Sequence, residues 1–300
     1  MMDFLLSGFL APVFRPIFLN VLKLIQDGMI FKPTNPGVGQ IEFLLHPTAY
    51  KKYMLFGVTP QELTTSDNIQ ITTWYKAAMP GHKTFLYFPG NTGHFGDCGA
   101  GKDEFGNIIE TGRQYRLTMI EKMIEGGRGM LAVCYRGYGT SKGAPSEEGL
   151  LKDAKCAYRF LLDSGVKPKD IIVYGDSLGG AVAIKFLASL VSDEVPSILV
   201  ATGTFASIAH KAHDLYPQIP VEAFAPYLRH PFNSVDSIKK LKKTRIILLH
   251  GTEDKTTYPY HSELLARTAR AENIDVTHIP ITGAGHINIS PEEIVNAVLT

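Results

Sequence analysis

A chain of 300 residues, 45% of them hydrophobic, can bury a large core, and its 30 basic and 29 acidic side chains leave a formal charge of only +1. That balance argues against nucleic acid as a partner, because no global field steers the chain to a polyanion. Three scattered cysteines are too few for a disulfide scaffold, so Cys98, Cys134 and Cys156 are read as thiols.

Residues 1–35 form an apolar N-terminal segment, set apart from a domain over 36–300. Phe4 to Ile25 are apolar except for Ser7, Arg15, Asn20 and Lys23, and Pro12 and Pro16 interrupt any continuous helix. Asp3 precedes the stretch and no Lys or Arg does, which is wrong for a secretory signal. A cytoplasmic or membrane-associated location is therefore expected over a secreted one. From Pro16 onward, Ile17, Phe18, Val21, Leu22, Leu24 and Ile25 cover a broad face opposite Asn20, Lys23 and Asp27. That pattern suits a helix lying on a membrane surface or one docked on the domain, and both readings stay open.

Beyond it, strand-like and helix-like runs alternate, with no internal repeat. Early strands are expected near Ile41 to Leu45 and Ile69 to Tyr75, followed by strand 83–88, helix 113–126, strand 129–135, helix 147–163 and strand 170–174. Strands recur at 197–201, 244–250 and 275–279, with helices at 259–271 and 291–299. Such alternation predicts one doubly wound α/β domain, a mostly parallel sheet with helices on both faces. Ligands then bind beyond the carboxyl ends of the strands.

Gly175-Asp176-Ser177-Leu178-Gly179 stands between the apolar run Ile171–Tyr174 and the helix-like Gly180–Leu187. It reads as a nucleophile elbow: the chain reverses from strand to helix with Ser177 at the apex, and glycines let the two approach closely. A serine hydroxyl needs a base to take its proton and an acid to orient that base. Both should follow late strands, acid before His. Strand 244–250 runs into Gly251-Thr252-Glu253-Asp254, where Asp254 or its neighbour Glu253 can supply the carboxylate. Strand 275–279 runs into Gly283-Ala284-Gly285-His286, and His286 fits the base. For the oxyanion hole, the loop Pro89-Gly90-Asn91-Thr92-Gly93 after strand 83–88 offers the Asn91 N–H, paired with the Leu178 N–H at the helix start. His210 and His213 have no third ligand of clear spacing, so neither a metal nor another cofactor is expected. His250 is read as a packed residue at a strand end.

Between Gly203 and Val235, aromatics and prolines accumulate, which predicts a small cap over about 203–235. Phe205, Tyr216 and Phe224 are its candidate lining for an apolar substrate pocket. The Gly- and charge-rich segment from His94 to Thr111 is expected near the site mouth. Lys239, Lys240, Lys242, Lys243 and Arg245 read as a solvated helix end, or as a contact for an anionic surface.

With these residues in place, the chain resembles the α/β-hydrolase superfamily. Within it, the similarity is to the small-lid serine hydrolases that include the membrane-anchored α/β-hydrolase-domain proteins and their protein-depalmitoylating relatives. The similarity runs from about Glu62 to the C-terminus. It rests on Tyr135-Arg136-Gly137-Tyr138-Gly139-Thr140-Ser141-Lys142-Gly143, Pro145 to Gly149, Tyr174 to Gly180, Thr204 to Ile208, His250 to Asp254, and Gly285-His286. One departure is Pro89, where the family usually has His before the Gly-Asn of the oxyanion loop. The resemblance favours Asp254 over Glu253. It implies a metal-independent serine hydrolase of acyl esters or thioesters, acting on small esters or on acylated proteins or lipids. A serine peptidase of aminopeptidase type and a non-catalytic binding protein on the same fold are the alternatives.

Overall fold

The computed structural model describes residues 26–33, 56–92, 100–102, 108–110, 114–190, 195–218, 220–224 and 227–299. Residues 4–25, the strand expected near Ile41 to Leu45, and Cys98 lie outside them. No helix among the described residues is long and apolar enough to cross a membrane.

Strand β1 (Thr59–Thr64) is followed by β2 (Gln70–Lys76) and β3 (Thr84–Phe88). The short β4 (Ala100–Lys102) and β5 (Ile108–Glu110) pair only with each other. Helix α1 (Gln114–Ile124) leads to β6 (Gly129–Val133), α2 (Glu147–Asp163), β7 (Ile171–Asp176) and α3 (Leu178–Ala188). After β8 (Ile198–Thr202) come α4 (Ile208–Leu215), α5 (Val221–Phe224) and α6 (Ser234–Ile238). The chain ends with β9 (Arg245–Gly251), α7 (Tyr260–Ala271), β10 (Val276–Ile281) and α8 (Pro291–Leu299).

The eight-stranded sheet has the order β1-β2-β6-β3-β7-β8-β9-β10. β2 is antiparallel to both of its neighbours, and from β6 to β10 every pairing is parallel. β1 falls on a stretch that sequence periodicity did not mark, because its exposure alternates at an edge and carries little apolar signal.

Strand side chains alternate between two cores, as their two-residue period requires. Leu86, Phe88, Leu131, Val133, Val173, Leu199 and Leu248 meet α2, α3, α6 and α7 on one face. Phe85, Tyr87, Met130, Ala132, Tyr174, Val200 and Leu249 meet α1 and α8 on the other. Both faces of the central strands are therefore covered, and β3, β6, β7, β8 and β9 read as continuous apolar runs. α2 shows why its boundaries were legible. Ser146 caps it by accepting the Gly149 N–H at 3.0 Å, Glu147 and Glu148 occupy the first turn, and Leu150, Ala154, Ala157 and Leu161 form the buried stripe. Cys134 is buried and Cys156 partly so, both as free thiols.

Candidate active site

Strand β7 and helix α3 meet at Ser177, whose φ of 50° and ψ of −114° lie far from ordinary L-residue conformations. The turn is enforced by close packing: a Cβ at Gly179 would stand 1.8 Å from Phe88 O, so only glycine lets the helix start touch the end of β3. The Ser177 N–H donates to Thr202 O at 2.8 Å and the Thr204 hydroxyl donates to Ser177 O at 2.9 Å, so the strained residue is tied to the end of β8 and to the turn after it.

The loops after β9 and β10 are fastened to each other. A Cβ at Gly251 would lie 2.2 Å from Ala284 O, the Glu253 N–H donates to Ala284 O at 2.9 Å, and the Gly283 N–H donates to the Thr252 hydroxyl at 3.0 Å. This brings His286 beside Asp254. His286 Nδ1 is 2.7 Å from Asp254 Oδ2, and His286 Nε2 is 3.1 Å from Ser177 Oγ. The other oxygen, Asp254 Oδ1, accepts the Thr256 and Thr257 N–H groups at 2.8 Å each. Burial works to raise the Asp254 pKa, but the hydrogen bonds of His250, His286 and Thr257 outweigh it and hold the carboxyl well below its ordinary range. Glu253 is exposed and joins this arrangement through its backbone, so Asp254 is the carboxylate that contacts His286.

Asn91 and Leu178, the two expected oxyanion donors, stand at the end of β3 and the start of α3. The Asn91 carbonyl accepts from Lys32 N–H at 3.0 Å and from the Tyr138 hydroxyl at 2.9 Å, and its side-chain amide donates to Ile30 O at 3.1 Å. Among the described residues no hydrogen bond takes up the Asn91 N–H, and the Leu178 N–H is one of the free donors of a helix N-terminus. Pro89 is accommodated: its carbonyl accepts the buried Tyr135 hydroxyl at 3.0 Å, and burial pushes that phenol well up. Asp176, inside the elbow, accepts the Tyr87 hydroxyl at 2.7 Å and the Gly90 N–H, and burial raises its pKa against the opposing field of Arg116.

A pocket of about 260 Å³ opens beside Ser177 and His286, and it is lined by Met119, Tyr174, Ile287, Ile289, Ile294 and Arg116 among others. It lies over the face of α1 and α8. Two of the residues expected to line it are elsewhere. Phe205 is buried in the opposite core, packed edge-on against Phe232 at 6.4 Å, and Tyr216 is 52% exposed on the end of α4. The Phe224 side chain lies outside the described residues. His250, read as mere packing, has Nε2 3.2 Å from Asp254 Oδ2 and 2.8 Å from Thr257 O. Tyr135, Tyr138, Asp176 and His250 thus support the site, and in the sequence their one signal is their place inside the stretches that carry the family resemblance.

Among the described residues no cluster of side chains could hold a metal ion. The arrangement offers proton transfer from an alcohol to an imidazole, backed by an ionised carboxylate, next to backbone donors.

The prolyl oligopeptidase family model matches residues 147–300. The α/β-hydrolase domain-containing protein WAV2 of Arabidopsis thaliana is 26% identical over 291 residues, covering 89% of this chain and 83% of WAV2. Protein bem46 of Schizosaccharomyces pombe is 29% identical over 209 residues, covering 68% of this chain and 63% of bem46. Among solved structures, an α/β hydrolase from Vibrio vulnificus superposes with a TM-score of 0.62 at 20% identity, over 89% of this chain and 96% of that one. An esterase from Pyrococcus furiosus does so with a TM-score of 0.60 at 19% identity, over 90% of this chain and 95% of that one. The sheet, the elbow and the family match over half the chain agree: the chain belongs to the prolyl oligopeptidase family within the α/β-hydrolase superfamily.

Proposed function

We propose that the protein is a serine hydrolase that cleaves acyl esters or thioesters through an acyl-enzyme intermediate. The observation that carries this reading is the ordered contact of Ser177 Oγ with His286 Nε2 at 3.1 Å and of His286 Nδ1 with Asp254 Oδ2 at 2.7 Å, at the rim of a mostly apolar pocket. Asp254 fixes the tautomer with the proton on Nδ1, leaving Nε2 to accept the serine proton. Ser177 Oγ attacks the acyl carbon, and the Asn91 and Leu178 N–H groups receive the developing oxyanion. His286 then passes its proton to the departing alcohol or thiol, and water, activated by the same imidazole, releases the acid. The apolar segment Phe4 to Ile25 would bring the domain to a membrane surface, where acylated proteins and lipids are presented. A cytoplasmic or membrane-associated location goes with that reading.

Peptide bond hydrolysis is the second reading, favoured by the match to the prolyl oligopeptidase family over 147–300. One experiment separates these readings. Purified protein is treated with a fluorophosphonate probe and assayed on acyl-nitrophenyl esters of graded length beside aminoacyl-nitroanilides. Labelling at Ser177, ester turnover and a loss of about 10⁶ in kcat for Ser177→Ala are expected. Turnover of anilides alone would establish the peptidase, and absence of labelling in folded protein would establish a non-catalytic binding protein.

A further inference from the structure

We infer that residues 26–33 are a clip that positions Asn91 for the oxyanion, with Asp27 and Tyr138 as its positioning residues; the inference rests on the serine hydrolase reading above. One end of the clip is latched to residues 227–230. Asp27 pairs with Arg229 Nη1 at 2.6 Å and with His230 Nε2 at 3.0 Å. Gln26 donates to Tyr227 O at 3.0 Å and accepts the Arg229 N–H at 2.9 Å. Behind the latch, buried His230 accepts the Glu147 N–H at 3.2 Å, and its ring meets Phe31 edge-on at 5.1 Å. Glu147 itself holds Lys185 and the Phe232 N–H, which ties the latch to α2 and α3.

The other end grips the oxyanion loop. The Asn91 side-chain amide donates to Ile30 O, the Lys32 N–H donates to Asn91 O, and Lys32 pairs with Thr92 as a parallel bridge. The Tyr138 hydroxyl completes the grip: it donates to Asn91 O at 2.9 Å and accepts the Lys32 N–H at 3.2 Å. Gly90, one residue earlier, is held by Asp176 from the elbow side. Among the described residues every polar group of Asn91 except its backbone N–H is therefore occupied, the side-chain oxygen by the Thr92 hydroxyl at 3.0 Å. An oxyanion donor accelerates the reaction only if it does not have to reorganise when charge develops. Fixing the Asn91 carbonyl and amide from the outside meets that requirement, and the chain supplies it from a segment about sixty residues upstream.

The prediction is a kinetic split. An oxyanion donor acts in the transition state and barely in the ground state, so loosening it lowers kcat and leaves KM in place. Asp27→Ala and Tyr138→Phe are each expected to lower kcat on a nitrophenyl ester by about 10- to 100-fold, less than deletion of a donor outright. KM should move by no more than about twofold. Asp27→Glu, which keeps the carboxylate for Arg229 and His230, should recover most of the rate. The fluorophosphonate reaction gives a readout free of substrate choice: the Ser177 Oγ–P bond forms, fluoride leaves, and His286 takes the serine proton. Its rate should fall in parallel, with faster amide exchange in peptides covering Asn91 and unchanged exchange over β7 and α3. Variants that label and turn over at the wild-type rate would overturn the clip. So would rates that fall only in proportion to an unfolded fraction measured by denaturation. If the wild-type protein neither labels nor hydrolyses, the hydrolase reading fails and takes the clip with it.

Discussion

His250 Nε2 stands 3.2 Å from Asp254 Oδ2, the same oxygen that His286 Nδ1 reaches at 2.7 Å. The acid of the site is thus shared between two imidazoles, and its other oxygen is closed off by the Thr256 and Thr257 N–H groups. Nε2 of His250 carries these contacts; among the described residues its buried Nδ1 has no hydrogen-bond partner. His250→Phe keeps the ring volume and removes the donor. A hydrogen bond to an ionised group contributes about 1.5–3 kcal/mol to stability, so the melting temperature should fall, and kcat should fall with it because Asp254 holds His286 less firmly. Steady-state kinetics beside a thermal melt check this, and an unchanged kcat would leave His250 a packing residue.

The depressed pKa of Asp254 fixes the sign of an acid effect. Its folded-state value lies below the unfolded value of about 3.9. Its contribution to stability is therefore complete above about pH 5, and it is lost as the pH falls through 3.9 toward the folded value. Urea midpoints at pH 7, 5 and 3 should decline more steeply for the wild type than for Asp254→Asn, which has nothing to titrate. The same variant favours the wrong His286 tautomer and should lose about 10⁴ in kcat at pH 7.

Arg136 is buried between two carboxylates. Its Nε and backbone N–H donate to Asp153 at 2.9 and 2.8 Å, and its Nη1 pairs with Asp67 at 2.9 Å. Burial pushes the Asp153 pKa up to about 6 even with these hydrogen bonds opposing it. Arg136→Met would strand Asp153 in the core, a loss of about 3–5 kcal/mol. The stranded carboxyl then has a folded pKa still further above its unfolded value, so the variant loses stability as the pH rises from about 4 through that folded pKa. Arg136→Met should accordingly be less impaired at pH 5 than at pH 8 in urea titrations. Equal losses at both values would place the damage in packing rather than in the orphaned charge.

What could be read from the sequence was local. Ser177 announces itself because an elbow needs small residues at fixed offsets, and Asp254 and His286 because each stands in the loop that follows a recognisable late strand. α2 begins at Glu147 as expected, since Ser146 and two acidic residues mark its first turn. Phe205 does not line the space beside Ser177, for a physical reason. Phe205 is as apolar as any pocket residue, but an aromatic carries no mark of direction, and long-range packing against Phe232 turned it into the core on the α2–α3 side of the sheet. The clip of residues 26–33 joins groups far apart in the chain, the Asn91 amide to Ile30 O and Asp27 to Arg229 and His230, and such long-range pairs leave no local mark in the sequence. Tyr135 and Tyr138 belonged to a conspicuous motif, yet only the fold shows that their hydroxyls reach Pro89 O and Asn91 O.

The pocket beside Ser177 makes substrate length testable. Met119 on α1 is 2% exposed to solvent and still lines the space beside Ser177, together with Ile289 and Ile294 from the chain end. Met119→Ala removes the flexible side chain at that wall and should shift the preferred acyl chain to longer members of a nitrophenyl ester series. Each added methylene that the enlarged pocket accepts is worth about 1–3 kcal/mol, or 10- to 200-fold in kcat/KM relative to the wild type. Tyr216→Ala, on a side chain 52% exposed at the end of α4, should leave that length profile unchanged. If Tyr216→Ala moved the profile and Met119→Ala did not, the acyl chain would run beneath α4 rather than along the α1–α8 face.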